Sequence, residues 1–474
     1  MEEKCGVAGI ALDGRSVSYP LFFTLYALQH RGQESAGIST WDGVSIRSFK
    51  AMGLVPEVFH DRHLKRLKGE IGIGHVRYST TGESSPENVQ PFTINFRGGM
   101  LAIAHNGNLI NTEFLRRSLE KSGATFVSTT DTEVIANLLV KELLRHDPVD
   151  AIRSVSMQIE GSYSLTILIN DLLIGVRDPL GIKPLVLGSV DDGYIITSES
   201  VAIDAIDGKL IRDIRPGELV MIKEGKLESH MLQQMRNTAY CVFEYIYFAR
   251  PDSLMNNHLV YDVRRRIGER LAEEHPVDAD IVSPVPDSGV TSAIGYSAAS
   301  KIPYLEGLIK NRYLGRTFIM PYQQAREASV RLKLNVVKPN VKDKRVILVD
   351  DSIVRGTTSR RIIDNLRESG AREVHLRIGS PPIIAPCYFG INMSTREELI
   401  ASNRSIDEIR DTLNLDSIGY LSIEGLIDAI GKKREDLCLG CLTGIYPLEI
   451  PGEKSTVRQM RLSQFKTRRE HQWI

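Results

Sequence analysis

The chain has 474 residues, of which 42% are hydrophobic, a length and composition typical of two or three packed domains. Its 59 basic residues balance its 59 acidic ones, and this zero net charge argues against a nucleic-acid partner. No run reaches the roughly 18–20 apolar residues of a membrane span, and the N-terminus lacks the cationic start and apolar core of a signal peptide, so we expect a cytoplasmic protein.

The first predicted element is an apolar strand that begins at Cys5-Gly-Val-Ala-Gly-Ile10. A lone cysteine is usually a buried small hydrophobe, so its position alone says little. Hydrophobic runs then alternate with polar, Gly-rich segments, an arrangement typical of binding loops on a rigid sheet scaffold. These segments are Gln29–Gly37, Gly74–Thr80, His105–Asn108 and Ser128–Glu133.

The polar side chains of these segments fit the recognition of glutamine. Arg77 could pair with a carboxylate in bidentate fashion, and Asp131 could receive an ammonium group. Asn106, with the backbone of Gly107, could donate to a developing oxyanion. Each fragment alone can also be a turn, an N-cap or a surface ion pair, but those readings do not explain the four segments together in this order.

A change in composition predicts the domain boundary. Between Glu224 and Thr238 a turn that contains Gly and Lys gives way to polar residues. We therefore expect one domain at residues 5–232 and a second at residues 233–474.

In the second half, the first segment with predicted function begins with a strand at Asp280–Pro286. The sequence Asp287-Ser-Gly-Val-Thr291 follows and begins the next helix, a small turn able to present backbone donors to phosphate oxygens. From Lys310 to Lys333 the chain is basic, polar and poorly periodic. Taken alone this stretch could be an ordinary solvated loop, but beside phosphate-binding turns its cations favour a lid that closes over a polyanion.

The most informative stretch runs from Val346 to Ser359. Val346–Val349 predicts a buried strand, which ends on two adjacent carboxylates and then turns into a helix with Ile362, Ile363 and Leu366 on one face. Hydroxyls and free N–H groups at a helix N-terminus suit a phosphate monoester, and the acids suit ribose hydroxyls or Mg²⁺. A generic strand–turn–helix explains the apolar run but not this order of polar residues, which are Asp350, Asp351, Arg355, Gly356, Thr357, Thr358 and Ser359.

Besides Cys5, the chain has cysteines at 241, 387, 438 and 441. Distant thiols in a cytosolic chain do not favour disulfides, which leaves zinc, an iron–sulfur cluster, a redox pair or buried thiols. The spacing by itself favours zinc over a cluster. Further on, the basic tail from Arg458 to Arg469 predicts a solvated or subunit-contacting helix rather than a nucleic-acid arm.

The stretch from Val346 to Ser359 resembles the phosphoribosyl pyrophosphate (PRPP) signature of type I phosphoribosyltransferases. The resemblance implies that Asp350 and Asp351 contact the ribose hydroxyls and, with Ser288, organise Mg²⁺. It implies that residues 355–359 hold the 5′-phosphate. The turn at 287–291 would grip pyrophosphate, and the basic stretch at 310–333 would be a mobile hood.

The N-terminal segments resemble the class II glutamine amidotransferase domain of the N-terminal-nucleophile hydrolases. This resemblance implies that Cys5 is the nucleophile, that Arg77 and Asp131 bind the carboxylate and amine of glutamine, and that Asn106 and Gly107 form the oxyanion hole. In such enzymes the nucleophile is the first residue, because its own α-amino group, with a pKa of about 7.7–8.0, acts as the base. Residues 1–4 would then be a propeptide, cleaved between Lys4 and Cys5.

Together, from Cys5 to about Pro447, the two signatures resemble the glutamine PRPP amidotransferases. The resemblance implies an α+β (αββα) sandwich followed by an α/β phosphoribosyltransferase domain with a parallel sheet. It implies hydrolysis of glutamine and passage of ammonia, through a transient channel, to C1 of PRPP, with release of phosphoribosylamine, glutamate and pyrophosphate as the committed step of purine synthesis.

The resemblance also bears on cofactors and partners. One branch of the family carries both a cleaved propeptide and a structural [4Fe–4S] cluster, which implies one cluster on Cys241, Cys387, Cys438 and Cys441 and one Mg²⁺ per subunit. Homotetramers and feedback inhibition by purine nucleotides are further implications. A PRPP-sensing regulator would instead begin with a DNA-reading helical domain, and other glutaminase-coupled transferases would carry a different second half.

Overall fold

The computed structural model describes residues 5–78, 84–191, 193–311, 334–393 and 395–452. The predicted propeptide at 1–4, the hood residues 312–333 and the basic tail at 458–469 lie outside the described residues.

The strands between Gly6 and Met231 form two antiparallel sheets. The bounds are β1 Gly6–Ala11, β2 Ser35–Trp41, β3 Ile46–Met52, β4 Ile71–Arg77, β5 Phe92–Phe96, β6 Gly99–Leu109, β7 Gly161–Ile169, β8 Leu172–Arg177, β9 Val186–Val190, β10 Gly193–Thr197, β11 Lys209–Asp213, β12 Glu218–Lys223 and β13 Lys226–Met231. One sheet has the order β11-β9-β10-β1-β4-β2-β3 and the other has the order β13-β12-β8-β7-β6-β5.

Helices cover the outer face of each sheet and make the four layers of an αββα sandwich. The first sheet is covered by Ser18–Ala27, Val55–Val58, Asp61–Leu64 and Val201–Asp204, and the second by Thr112–Lys121, Asp131–Leu143 and Pro148–Ser156. A short 3₁₀ helix at Pro86–Asn88 leads into β5.

Alternation along the strands decides which side chains meet inside the sandwich. In β1, Ala8 and Ile10 pack under the helices, whereas Val7 and Ala11 pack between the sheets. In β6, Ala102 and Ala104 face the same inter-sheet layer. Polar residues that continue these inward positions at one end of the sandwich therefore point into the space between the sheets.

The second half contains a parallel sheet accompanied by two-stranded pairs. The bounds of the strands are β14 Tyr240–Cys241, β15 Leu254–Met255, β16 His258–Leu259, β17 Ile281–Pro284, β18 Leu308–Lys310, β19 Leu334–Val336, β20 Arg345–Asp350, β21 Glu373–Ile378, β22 Ser417–Tyr420 and β23 Leu437–Cys438. The parallel sheet has the order β17-β20-β21-β22, and β14 pairs with β23, β15 with β16, and β18 with β19.

Helices lie on both faces of the parallel sheet, as crossover connections require. Val260–Glu274, Val290–Ser300 and Ile423–Ile430 pack on one face, and Thr357–Glu368 and Ile406–Leu413 on the other. The remaining short elements are the helices Lys338–Val341 and Gly440–Thr443, the π-helical turn Glu244–Phe248, and the 3₁₀ turns Arg396–Glu398 and Arg434–Asp436.

The elements predicted around the second site are confirmed. The strand expected at Val346–Val349 lies within β20, and the helix that follows begins at Thr357 and buries Ile362, Ile363 and Leu366. The strand expected at Asp280–Pro286 is shorter and ends at Pro284. Among the described residues, no helix has both the length and the apolar character needed to cross a membrane.

Candidate active sites

Cys5 immediately precedes β1 and continues its inward row of Val7 and Ala11, which places its thiol in the layer between the two sheets. Gly6 pairs with Val76 in β4, so Cys5 comes next to Arg77 at the same end of the sandwich. The thiol donates a hydrogen bond to the carbonyl of Tyr78 at 3.6 Å. Burial raises the pKa of the Cys5 thiol, Arg77 lowers it, and the charges of Asp131 and Glu34 raise it, so the residues around the thiol act on it electrostatically.

The facing sheet brings Asn106 to the same end. His75 of β4 donates from Nε2 to the carbonyl of His105 in β6 at 3.1 Å and joins the two sheets directly. Burial lowers the pKa of His75 to about 3, so its ring is neutral. Asn106 is the next residue, its side chain continues the inward row of Ala102 and Ala104, and its buried Nδ2 has no hydrogen-bond partner in the described part of the chain. An amide left in this way is available to a ligand oxygen.

The two predicted glutamine-binding charges have protein contacts that the sequence did not reveal. Arg77 donates from Nη1 to Glu34 at 3.2 Å. Asp131 begins the helix Asp131–Leu143, accepts the N–H of Leu109 at 3.0 Å, and lies 3.4 Å from His105 Nδ1. Burial alone would raise the pKa of Asp131, but His105 and the Leu109 N–H more than offset it and hold the pKa below its usual range. Asp131 is therefore an anion at neutral pH.

The second site is a cavity of about 490 Å³ at the carboxyl end of β20. This is the edge of a parallel sheet where ligands bind in open α/β folds. The predicted residues line it together: Ser288, Asp350, Asp351, Arg355, Gly356, Thr357, Thr358 and Ser359.

Gly356 makes the turn into the helix possible. Its φ of +76° is left-handed, and a Cβ there would lie 2.7 Å from the Ile400 side chain, so only glycine fits without displacement. The first N–H groups of the helix Thr357–Glu368 have no partner within the helix, and with the hydroxyls of Thr357 and Thr358 they are a set of donors suited to an anion.

The acidic pair gives the cavity a region that attracts cations. Burial and the neighbouring Asp351 raise the pKa of Asp350 well above its usual range. Asp351 is also within the field of the buried Arg264, whose pKa burial lowers to about 10. Two adjacent carboxylates, one half-buried and one buried, repel each other, and a bound cation or a set of hydroxyl donors relieves that repulsion.

The turn expected to grip pyrophosphate borders the cavity through Ser288. Asp287 pairs with Lys310 of β18 at 2.5 Å. Lys310 is the first residue of the predicted hood, and both side chains are largely exposed. The ammonium group of Lys310 therefore lies beside this turn.

The remaining cysteines come together from three parts of the chain. Cys241 and Cys438 are register partners in β14 and β23. The N–H groups of Ile384 and Ala385 donate to the carbonyl of Cys441 at 3.0 and 3.1 Å, and this brings the segment that carries Cys387 alongside. Burial raises the pKa of Cys438 and of Cys441, and the neighbouring thiols raise them further.

These thiols are close enough to act on one another. Within the described ranges, however, no group of three or more His, Cys, Asp or Glu side chains is placed so that it could hold a metal ion.

Several residues of both sites were not predicted from the sequence motifs. Tyr247 and Asn392 line the second cavity. His105 contacts Asp131, and Glu34 contacts Arg77, the two residues predicted to bind glutamine. Tyr247 sits in an aromatic run typical of a core, so no local signal marked it. Glu34 and His105 lie in the polar segments already identified, but their partners are distant in sequence.

Comparison with known proteins gives consistent results for both halves. The family model for the glutamine amidotransferase domain matches residues 75–205. The amidophosphoribosyltransferase of Archaeoglobus fulgidus is 55% identical over 455 residues, which cover 95% of this chain and 99% of that protein. The amidophosphoribosyltransferase of Bacillus subtilis is 46% identical over 455 residues, which cover 95% of each chain.

Two solved structures are similar over nearly their whole length. One is described as the allosteric regulatory enzyme of purine biosynthesis, with 45% identity, a TM-score of 0.90, and coverage of 95% of this chain and 97% of that one. The other is the glutamine PRPP amidotransferase of B. subtilis complexed with ADP and GMP, with 45% identity, a TM-score of 0.89, and coverage of 95% and 98%.

Proposed function

The chain belongs to the amidophosphoribosyltransferase family, and we propose which of its residues carry out each half of that family's reaction. The enzyme hydrolyses glutamine and transfers the ammonia to C1 of PRPP, the first step of purine biosynthesis. Its architecture is an N-terminal-nucleophile sandwich followed by a type I phosphoribosyltransferase domain. We place the boundary between them at residues 232 and 233.

The glutaminase half-reaction belongs to the site around Cys5. The observation that carries this assignment is the buried Nδ2 of Asn106, which lacks a described acceptor and lies at the same end of the sandwich as the thiol. The Cys5 thiolate attacks the amide carbon, and the amide oxygen gains negative charge as this bond forms; when the oxyanion collapses, the C–N bond breaks, the nitrogen takes the proton that the α-amino group removed from the thiol, and ammonia leaves with a glutamyl thioester on Cys5. Asn106 Nδ2 and the Gly107 N–H donate to that oxygen, and water then hydrolyses the glutamyl thioester.

The same site orients glutamine through its two ends. Arg77 turns from Glu34 to the α-carboxylate, because a bidentate guanidinium–carboxylate pair is stronger than the Nη1 contact with Glu34 at 3.2 Å. Asp131, an anion with a lowered pKa, binds the α-ammonium. The base that removes the thiol proton is the α-amino group of Cys5 itself, so we propose that residues 1–4 are removed before the enzyme is active.

PRPP binds in the cavity beside Asp350. Residues 355–359 hold its 5′-phosphate at the helix N-terminus. Asp350 and Asp351 accept hydrogen bonds from the ribose hydroxyls, and the turn at 287–291 holds the pyrophosphate with Lys310 beside it. Pyrophosphate leaves C1, and ammonia attacks the oxocarbenium-like carbon. No general base is needed there, since ammonia arrives as a neutral nucleophile.

The donors around this cavity fit Mg²⁺. Asp350, Asp351 and Ser288 offer the oxygen ligands that Mg²⁺ prefers, and a bound cation would offset both the burial and the charge of Asp351 that raise the pKa of Asp350. When bound, Mg²⁺ would neutralise the charge of the departing pyrophosphate. We propose one ion per subunit.

We propose a [4Fe–4S] cluster on the cysteine tetrad, defined as Cys241, Cys387, Cys438 and Cys441; the four thiols approach one another, but in the described ranges they are not grouped as ligands of a metal ion, so the proposal rests on the chemistry of the donor set. Thiolates from three chain segments are the donor set of such a cluster, and metal binding would release the thiol protons that burial retains. The cluster would cross-link distant parts of the second half and supply no redox chemistry. Zinc is the alternative, and elemental analysis separates the two.

The similar solved structures support a proposal on regulation. Because one similar solved enzyme is described as allosteric and another holds ADP and GMP, we propose purine nucleotides as inhibitors of this enzyme. We further propose a cytoplasmic homotetramer.

Two arginines test the assignment of the sites, since each is matched to the anion of a different substrate. Arg77→Gln should raise the KM for glutamine and leave the KM for PRPP unchanged. Arg355→Gln should do the reverse, and each variant is the control for the other. If both substitutions raise the same KM, the assignment is wrong. The intact mass of anaerobically purified protein would show whether residues 1–4 are lost and whether iron and sulfide are bound.

A further inference from the structure

We propose that a segment of the second half, Cys387–Gly390, positions the oxyanion donors of the first. The inference rests on the proposed function, in which Asn106 and Gly107 form the oxyanion hole. Ser162 and Gly390 act on those donors from outside as positioning residues and do not touch the substrate. Glutamine hydrolysis would then depend on the packing of the two halves.

Hydrogen bonds carry the contact between the segment and the end of β6. Asn108 donates from Nδ2 to the carbonyl of Tyr388 at 2.9 Å. The buried hydroxyl of Ser162 donates to the carbonyl of Phe389 at 2.9 Å and accepts the N–H of Asn108 at 3.2 Å. Because Ser162 and Asn108 are also register partners in β7 and β6, one hydroxyl joins both strands to the segment.

The backbone of Gly107 is enclosed from two sides. A Cβ on Gly390, whose φ is +90°, would lie 3.0 Å from the carbonyl carbon and oxygen of Gly107. On the other side, a Cβ on Gly107 would lie 2.0 Å from the carbonyl oxygen of Ser162. The peptides of Gly390, Gly107 and Ser162 therefore pack closely, and a Cβ at Gly390 would press on the peptide of Gly107.

The far side of the segment is held by the region of the cysteine tetrad. Tyr446 donates from its hydroxyl to the carbonyl of Pro386 at 2.7 Å. Its ring packs edge-on against Tyr388 and Phe389, with centroids 5.1 and 6.2 Å apart. The Phe389 N–H points at the Cys387 sulfur at 3.4 Å. The segment is thus fixed at one end and pressed against the oxyanion donors at the other.

The test uses full-length, anaerobically purified enzyme with Ser162→Ala and Gly390→Ala. Displacement of a donor by about 1 Å can cost about 10²-fold in rate, so the kcat for glutamine should fall about 10-fold to 10²-fold, with little change in its KM. The Cys5 thiolate adds to the carbonyl carbon of the inhibitor glutamate γ-semialdehyde, and the carbonyl oxygen becomes an oxyanion. Its inhibition constant should rise in parallel with the loss of kcat, because both report the oxyanion hole.

Three comparisons make the result specific. Thr166→Val removes a buried hydroxyl on the same face of β7 that has no hydrogen-bond partner among the described residues, and it should behave as the wild type. Ser162→Thr keeps the hydroxyl and should recover most of the activity. Ammonia-dependent synthesis should be unchanged in Ser162→Ala.

The outcomes separate this inference from the proposed function. If Asn106→Ala loses about 10²–10³ in kcat while Ser162→Ala and Gly390→Ala resemble Thr166→Val, the oxyanion hole is right and the positioning role is overturned. If Asn106→Ala keeps its kcat, the oxyanion hole is wrong and the inference falls with it. An equal loss in the glutamine and ammonia reactions would also overturn it, because positioning predicts a selective loss.

Discussion

A buried ion cluster joins the two halves of the enzyme, and removal of its cation should destabilise the protein. Arg31 lies in the polar segment Gln29–Gly37 after the first helix and is 1% exposed. Its Nε donates a hydrogen bond to Glu199, in the same half of the chain. Its Nη2 lies 2.6 Å from a carboxylate oxygen of Glu244, in the second half. Both carboxylates are almost fully buried. Arg31→Met keeps much of the volume of the side chain and removes the charge.

The expected loss of stability in Arg31→Met depends on the hydrogen bonds that remain on Glu199. Removing one partner of a buried ion pair costs about 3–5 kcal/mol, because a charge is left uncompensated. Glu199 retains hydrogen bonds from His30 at 2.8 Å, from the Ser253 hydroxyl at 2.6 Å and from the N–H of Arg250 at 3.0 Å. We therefore expect the lower end, about 3 kcal/mol. For a folding unit of 150–250 residues this corresponds to a melting temperature lower by about 6–12 °C.

The pH dependence of the stability deficit shows whether the uncompensated charge of Glu199 causes it. Burial alone would raise the pKa of Glu199, but Arg31 and His30 hold it well below its usual range. In the wild type, this group therefore contributes stability above the unfolded pKa of about 4.3, and that stability is lost as the pH falls below it. Without Arg31, burial raises the pKa of Glu199, and protonation relieves the penalty as the pH falls. The deficit of the variant should shrink between about pH 7.5 and about pH 5.5.

The assay is thermal unfolding followed by circular dichroism, at one scan rate and both pH values. Arg117→Met is the matched control, since Arg117 pairs with Glu113 on an exposed helix where both side chains are 71% exposed, and such pairs contribute little. Arg31→Met combined with Glu199→Gln should recover part of the loss at the higher pH. A variant that melts within about 2 °C of the wild type, or a deficit that is the same at both pH values, would refute the reasoning.

Three further predictions concern the proposed sites. Cys5→Ala should abolish glutamine-dependent synthesis and keep ammonia-dependent synthesis, because only glutamine hydrolysis uses the thiol; failure of added ammonium salt to rescue the folded variant would contradict this division. Asp350→Asn or Asp351→Asn should impair synthesis from both nitrogen sources, since both need PRPP, and near-normal PRPP turnover would remove the site assignment. Replacement of any tetrad cysteine by Ser should give poorly folded or immature protein, and elemental analysis decides between about four irons with sulfide, one zinc, and no metal.

Some of this enzyme could be predicted from local patterns, because the interactions that form it are local. The strand, the acid pair, the turn and the helix from Val346 to Leu366 are contiguous, and their polar residues line one cavity. A helix N-terminus presents its donors wherever the helix begins, and Gly356 permits the turn by its own geometry. The resemblance of ordered motifs then indicated both halves of the reaction.

Other features were decided by tertiary structure. The bond between His75 and His105 joins two sheets, the ion pair of Arg31 with Glu244 spans 213 positions, and the bond from Ser162 to Phe389 spans 227. No local pattern predicts these contacts, because a residue's type and spacing do not specify which distant backbone will pack against it. The sequence by itself determined which groups are available for chemistry, and the packing of the two halves decided which atoms hold those groups in place.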